Sequence, residues 1–258
     1  MNHKYNLISS AILIIFILSF SNNSIAQTSS ATRPKIKQIA IDPGFGGEDK
    51  GPAGCGGEIF AKDINLKLAQ KLEKKFRELG VESILTRKND TIVSLEERIL
   101  MAMKHGADLF ISIQTNSSSD VKVYGTETYY FDFITDSDRA RAGFETSPTA
   151  KDTSGVQSIL LDMMLTAKAQ DSKLLANIVQ NSLCSYLSGK YDYIKNRGVK
   201  RATFYVLVRT MMPAIMIQTS FITNTRECGR LRSEDYQNSM VEGIAQGIQK
   251  FMDTGISK

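Results

Sequence analysis

Ile39-Ala40-Ile41-Asp42-Pro43-Gly44-Phe45-Gly46-Gly47, residues 39–47, decides how the rest of the chain reads. Three apolar residues make a short buried strand. A carboxylate, a proline that fixes φ and three glycines around one aromatic then make a sharp turn. A side chain at the centre of such a turn stands over the C-terminal edge of a sheet, where α/β proteins place their ligands. The loop that follows, EDKGPAGCGGEIF, carries Gly51, Gly54, Gly56 and Gly57, enough backbone freedom to fold closely around a site.

Beyond this loop the pattern alternates between helix and strand. Ile64, Leu68, Leu72 and Phe76 recur every fourth residue and predict a helix from Lys62 to Leu79, stopped by Gly80. Val81–Thr86 reads as a strand. Ser94-Leu95-Glu96-Glu97 is a capping box that starts a second helix, expected to bury Leu95, Ile99 and Met103. Leu109–Ile113 is a continuous apolar run, as a strand covered on both faces would be. Gly125–Phe133, rich in tyrosine and threonine, reads as a strand nearer an edge.

Residues 134–154 show no apolar period. Two helices are expected next, one carrying Val156, Ile159, Leu160, Met163, Met164 and Ala167, the other Leu174, Leu175, Ile178, Leu183 and Leu187. Ala202–Val208 and Ala214–Ser220 read as two buried strands. A last helix from Ser233 has Glu234 and Asp235 in its first turn and buries Tyr236, Met240, Ile244 and Ile248. This alternation predicts an α/β fold of three layers: a twisted, mostly parallel sheet of about six strands with helices on both faces.

The chain has 258 residues, 42% hydrophobic and 23% charged, which suits one folded domain over residues 35–253. Ahead of it, Lys4, the apolar run Leu7–Phe20 and Ser24-Ile25-Ala26 make a signal peptide over residues 1–26, with 27–34 a linker. The run falls short of the ~20 apolar residues that span a bilayer, so no integral membrane segment is expected after cleavage. The predicted location is outside the cytoplasm, in the periplasm or cell envelope. Removing Lys4 lowers the formal charge from +5 to +4, which suits an anionic wall surface and is too small to imply nucleic acid. Cys55, Cys184 and Cys228 are an odd number without CxxC spacing. They allow one disulfide and a leftover thiol, and equally three separate small residues, the plainer reading.

Eight fragments in order resemble the zinc-dependent N-acetylmuramoyl-L-alanine amidases: DPGFGG (42–47), AKDINL (61–66), LTR (85–87), SLEERI (94–99), ADLFISIQTN (107–116), GTETYYF (125–131), RGVKRATFYVLV (197–208) and MPAIMIQTSFITN (212–224). The resemblance implies an amidase-like fold, and an enzyme that cuts the muramic acid to L-alanine amide with one zinc and a general-base glutamate. It places the family's three zinc ligands on Phe45, Ala61 and Gln114, and its base on Gln218. None of these four side chains can do the family's work. Phe45 and Ala61 have no lone pair for a metal, Gln114 offers a neutral amide, and Gln218 accepts no proton. The only histidines are His3, in the signal segment, and His105, which reads as a solvated helix end.

The expectation is therefore a catalytically inactive pseudo-amidase without zinc or other cofactor. Asp42, Arg87, Gln114, Asn116 and Gln218 are its candidate ligand-binding residues. The expected partners are peptidoglycan or a muropeptide, or an amidase activator or other envelope protein in wall remodelling. The alternative is an active amidase with an atypical, carboxylate-only site drawn from Glu48, Asp49, Glu58 and Glu127. Residues 134–169 resemble the insertion of division-associated amidases, in which a regulatory helix covers the site. Met163-Met164-Leu165 would be its detachable face, unless the helix simply packs on the sheet, the plainer reading. The basic run Lys195, Arg197, Lys200 and Arg201 reads either as a contact for anionic glycan or as a solvated rim.

Overall fold

The computed structural model describes residues 35–132 and 154–255. The expected signal peptide and linker, residues 1–34, and the first part of the expected insertion, residues 134–153, lie outside the described residues. The opening strand β1, Gln38–Pro43, sits inside a six-stranded sheet whose order is β4-β1-β5-β8-β6-β7. Its neighbours β4 (Glu82–Leu85) and β5 (Leu109–Asn116) run parallel to it, and β8 (Ala214–Phe221) runs parallel to β5. β6 (Thr126–Tyr130) is antiparallel to β8 and carries β7 (Asn196–Arg201) parallel to itself at the edge. The sheet is thus mixed but mostly parallel, with helices on both faces. A separate two-stranded ribbon, β2 (Ala53–Gly54) with β3 (Ile59–Phe60), shapes the glycine-rich loop.

Side chains alternate across the strands and define two layers. Ile39, Ile41, Ile111, Ile113, Ile215 and Ile217 face helices α1 (Ala61–Glu78), α3 (Ser154–Ser188) and α6 (Glu234–Asp253). Ala40, Phe110, Ala214 and Met216 face the smaller layer, α2 (Leu95–Lys104) and α4 (Tyr205–Arg209). α2 and α4 are too short to cover the C-terminal end of their sheet face. That gap positions the site. Between β8 and α6 a short helix α5 (Thr225–Arg232) is capped by Asn224, whose side chain accepts from the amides of Arg226 and Glu227.

The capping box at Ser94 is present, with Ser94 Oγ accepting from the Glu97 amide and the Glu97 carboxylate accepting from the Ser94 amide. The face that α2 buries differs from the expected one. Arg98, Ile99 and Ala102 are inward, while Leu95 and Met103 are about half exposed. The helix is rotated so that Arg98 can reach β1.

Two further expectations are corrected. Ala202–Val208 is not a strand: the chain leaves β7 at Arg201, and Val206, Leu207 and Val208 lie in α4. A short apolar run without period fits a buried strand and a buried helical turn equally well. The two helices expected around 156–167 and 174–187 are one helix, α3. The polar stretch between them interrupts the apolar period but contains no glycine or proline, and its inward polar groups have partners. Lys168 Nζ donates to the carbonyls of Leu207, Val208 and Thr210 at the end of α4, and Ser172 Oγ accepts from the Ala214 amide.

Of the three cysteines, Cys55 and Cys228 form a disulfide that ties the glycine loop to α5, and Cys184 is a buried thiol. Among the described residues no helix is long and apolar enough to cross a membrane.

Candidate functional site

The first turn is held by two buried arginines that grip its main chain. Arg98 donates to the carbonyls of Pro43 (2.6 Å), Phe45 (2.8 Å) and Val93 (3.0 Å). Arg87 donates to the carbonyls of Pro43 (3.0 Å), Gly44 (3.0 Å), Lys62 (2.8 Å) and Asn89 (3.2 Å). Asn65 Nδ2 adds a bond to the Gly44 carbonyl. Asp42 anchors the turn from below. Its carboxylate accepts from Thr86 Oγ1 (2.6 Å), Arg98 Nη1 (2.8 Å) and Ser112 Oγ (2.9 Å) and is 1% exposed. Asp42 and Arg87, two of the candidate ligand-binding residues, are thereby engaged in shaping the turn. Burial, with the neighbouring Arg98 charge second, lowers the Arg87 pKa.

Phe45 sits at φ 61°, the left-handed region in which a residue with a β-carbon is uncommon. The position is over-determined by the bonds to its own and adjacent carbonyls. Its ring lies on Gly51, where a β-carbon would come within 2.5 Å of it, so that loop position requires glycine for close approach.

The turn opens into a cavity of about 480 Å³ at the uncovered end of the sheet. Phe45, Gln114 and Gln218 line it together, from β1, β5 and β8. Ile92, Leu95, Phe204, Tyr205 and Met216 make much of the remaining wall, which is more apolar than polar. Ala61 is fully buried at the start of α1, with its amide bonded to the Pro52 carbonyl, and is not part of the wall. Asn116 is two residues beyond Gln114 at the end of β5, where its Nδ2 donates to Glu127 Oε1 and its Oδ1 accepts from the Ser117 amide. No described residue of α3 lines the cavity. The face expected at Met163-Met164-Leu165 divides, since Met163 and Met164 are exposed and Leu165 is buried.

The two glutamines are Cα partners across β5 and β8, so their side chains share one sheet face. Gln218 Oε1 is buried with no hydrogen-bond partner among the described residues, and its Nε2 is 3.7 Å from Met216 Sδ. A buried carbonyl oxygen without a donor costs about 1–3 kcal/mol, an imbalance that a ligand N–H can relieve.

The carboxylates proposed for an atypical site do not converge. Glu58 pairs with Arg232 on the surface, and Asp49 lines the cavity while Glu48 is exposed beside it. Glu127 is 3% exposed and accepts from Asn116 Nδ2, Tyr129 Oη, Arg197 Nε and Lys200 Nζ. Burial pushes its pKa up, the bonds from Lys200, Tyr129 and Arg197 pull it down, and the donors prevail. Tyr129 is correspondingly held up at about 12, by burial first and the Glu127 bond second. Among the described residues no three of His, Cys, Asp or Glu gather as a metal-binding group. Phe45, Gln114 and Gln218, with Asp49 the one exposed carboxylate on the wall, do not make the set of histidine and carboxylate ligands that a zinc ion takes. His105 caps α2 in the open, its Nδ1 2.8 Å from the Met101 carbonyl.

The wall residues Phe204 and Tyr205 escape the sequence reading because their run looked like a strand. The company of Glu127 escapes it because Arg197 and Lys200 are 70 and 73 positions away.

Comparison with known proteins agrees with this architecture. The family described as N-acetylmuramoyl-L-alanine amidase (Amidase_3) matches residues 39–250. YqiI of Bacillus subtilis (strain 168) is 32% identical over 231 residues, 89% of this chain and 92% of its own. The N-acetylmuramoyl-L-alanine amidase LytC of the same organism is 31% identical over 256 residues, 95% of this chain, which spans 44% of LytC. Among solved structures, the N-acetylmuramoyl-L-alanine amidase AmiC2 of Nostoc punctiforme superposes with a TM-score of 0.64 at 32% identity, covering 84% of this chain and 97% of that one. On sequence and fold together, the chain belongs to the N-acetylmuramoyl-L-alanine amidase family.

Proposed function

We propose that this chain is an exported, amidase-fold protein that binds peptidoglycan peptide in its cavity without cleaving it, and thereby acts in cell-wall remodelling as a ligand-binding or regulatory partner. The observation that carries the reading is the set of side chains at the cavity: Phe45, Gln114 and Gln218 supply neither a zinc site nor a proton acceptor. Amide hydrolysis needs a polarised carbonyl and an activated water, and Phe45, Gln114 and Gln218 provide neither. Carboxamides and aromatic walls are well suited to hold an intact amide. Export is supported by the apolar N-terminal segment and by the Cys55–Cys228 disulfide, a bond that persists in oxidising compartments. A protein partner at the same face, an amidase activator or other envelope protein, would compete with the muropeptide.

The test is zinc content after metal loading and gel filtration of residues 27–258, followed by binding and release assays on purified wall. Muropeptide binding with neither stoichiometric zinc nor released stem peptide is the expected result. One tightly held zinc per chain, or released peptide, would revive the atypical-amidase reading. Combining Phe45→His, Ala61→Glu, Gln114→His and Gln218→Glu is expected to bring back one zinc. Histidine tolerates the left-handed backbone at position 45 better than most residues.

A further inference from the structure

Beside the cavity, two cations converge on one buried carboxylate. Glu127 is directly opposite Gln218 across the β6–β8 pair, a separation of about 5 Å in such ladders, with its side chain on the same face. Its Oε1 is satisfied by Asn116 and Tyr129, and its Oε2 by Arg197 and Lys200. Arg197 and Lys200 bring two positive charges to one negative charge, and their side chains are 25% and 39% exposed. The nearby Glu227 is buried against the amides of Gly125 and Phe221, and burial holds its pKa up at about 7, so it offsets the surplus only in part near neutral pH.

The cations are also held in place. The Arg197 guanidinium lies over the Phe221 ring at 5.2 Å, and Lys200 Nζ lies over the Tyr129 ring at 5.7 Å. Tyr129 in turn meets Phe204 of the cavity wall edge-on, with ring centroids 5.2 Å apart. Arg197 uses Nε on Glu127 and Nη1 on the Tyr124 carbonyl at 3.5 Å, and a guanidinium has five N–H groups in a fixed fork, so it retains donors, those of Nη2 among them, for a further acceptor. Lys200 likewise retains donors beyond its bond to Glu127. A pre-oriented, charge-surplus pair next to a cavity is built to receive an anion with little loss of side-chain freedom.

We propose that Arg197 and Lys200 form a carboxylate-binding subsite, which takes a free carboxylate of a bound peptide while the carboxamides of Gln114 and Gln218 face an adjacent amide. The subsite rests on the reading of the cavity as a muropeptide site, and adds to it a preference for ligands whose acidic residues are not amidated.

The experiment is calorimetric titration of the full chain with two muropeptides that differ only in whether the peptide carboxylates are free or amidated. The free acid is expected to bind about tenfold tighter at low salt, the scale of one charge-assisted hydrogen bond. That advantage should shrink at high salt and in Lys200→Gln, and vanish in Arg197→Gln/Lys200→Gln. Lys200→Gln removes a partly exposed group, so it keeps the idea testable should the double variant not fold. Equal binding of the two muropeptides by the unaltered chain would overturn the subsite and leave the cavity reading standing. Binding of neither would overturn both.

Discussion

The carboxamide of Gln114 occupies the space that a β-carbon on Gly44 would fill, with Nε2 2.0 Å and Oε1 2.2 Å from that position. The contact explains why the turn has glycine there although its φ is not left-handed. Gly44→Ala has to drive the glutamine away, but what it strikes is the flexible end of a side chain and not backbone. The expected cost is therefore within about 1 kcal/mol, below the usual penalty for overpacking a core. Muropeptide binding should fall, and Gly44→Ala should add nothing once Gln114→Ala is present. Urea unfolding and titration of the two single variants and the double variant measure this. A loss of 3 kcal/mol in Gly44→Ala alone would show the amide to be locked in place.

Arg98 and Asp42 are both nearly inaccessible and 2.8 Å apart. Removing the arginine alone strands a buried carboxylate and releases the carbonyls of Phe45 and Val93, while Pro43 keeps its bond from Arg87. Arg98→Met is expected to destabilise the chain by about 3–5 kcal/mol. Lysine should rescue little, because it cannot span the same acceptors as a fork. Pairing Arg98→Met with Asp42→Asn should recover part of the loss. Denaturant midpoints at constant slope would check each case.

The Cys55–Cys228 bond closes a separation of 173 residues, and long closed loops restrict the unfolded chain most. Reductant, or Cys228→Ser, is expected to lower stability by about 2–5 kcal/mol. Cys184→Ser should leave the response to reductant unchanged, since that thiol takes no part. Thermal unfolding with and without reductant distinguishes the two cysteine classes.

Lys168 gives the fold a pH dependence. Burial lowers its pKa from 10.5 to about 7. Between those values the unfolded chain binds a proton that the folded chain does not, so this group makes stability rise with pH from about 7 towards 10.5. In Lys168→Met that rise should be absent. Melting temperatures at about pH 7.5, 8.5 and 9.5, within the window, provide the comparison. A variant that keeps the slope would assign it to another group.

The opening turn was legible because its chemistry is local: Asp42, Pro43 and the glycines dictate a bend whatever surrounds them. The capping box was legible for the same reason. Helix α4 was not, since four apolar residues in a row carry no period and only the wall around them selects the conformation. The bringing together of Phe45, Gln114 and Gln218 was legible only through the resemblance to the amidases, which sets those three positions at one site. The use of Arg98 did not, because an arginine on a helix reads as a solvated charge until the rotation of that helix is known. The disulfide was equally hidden, for spacing alone does not choose among three cysteines.

Arg87 and Arg98 grip the carbonyls of Pro43, Gly44 and Phe45, so the shape of the turn depends hardly at all on which side chain it presents. At position 45 the fold asks for tolerance of one backbone conformation and for a side chain that fits against Gly51. The grip on the main chain thus separates the shape of the turn from the chemistry it presents, and replacing the residue at position 45 is expected to change what the cavity binds before it changes how the chain folds.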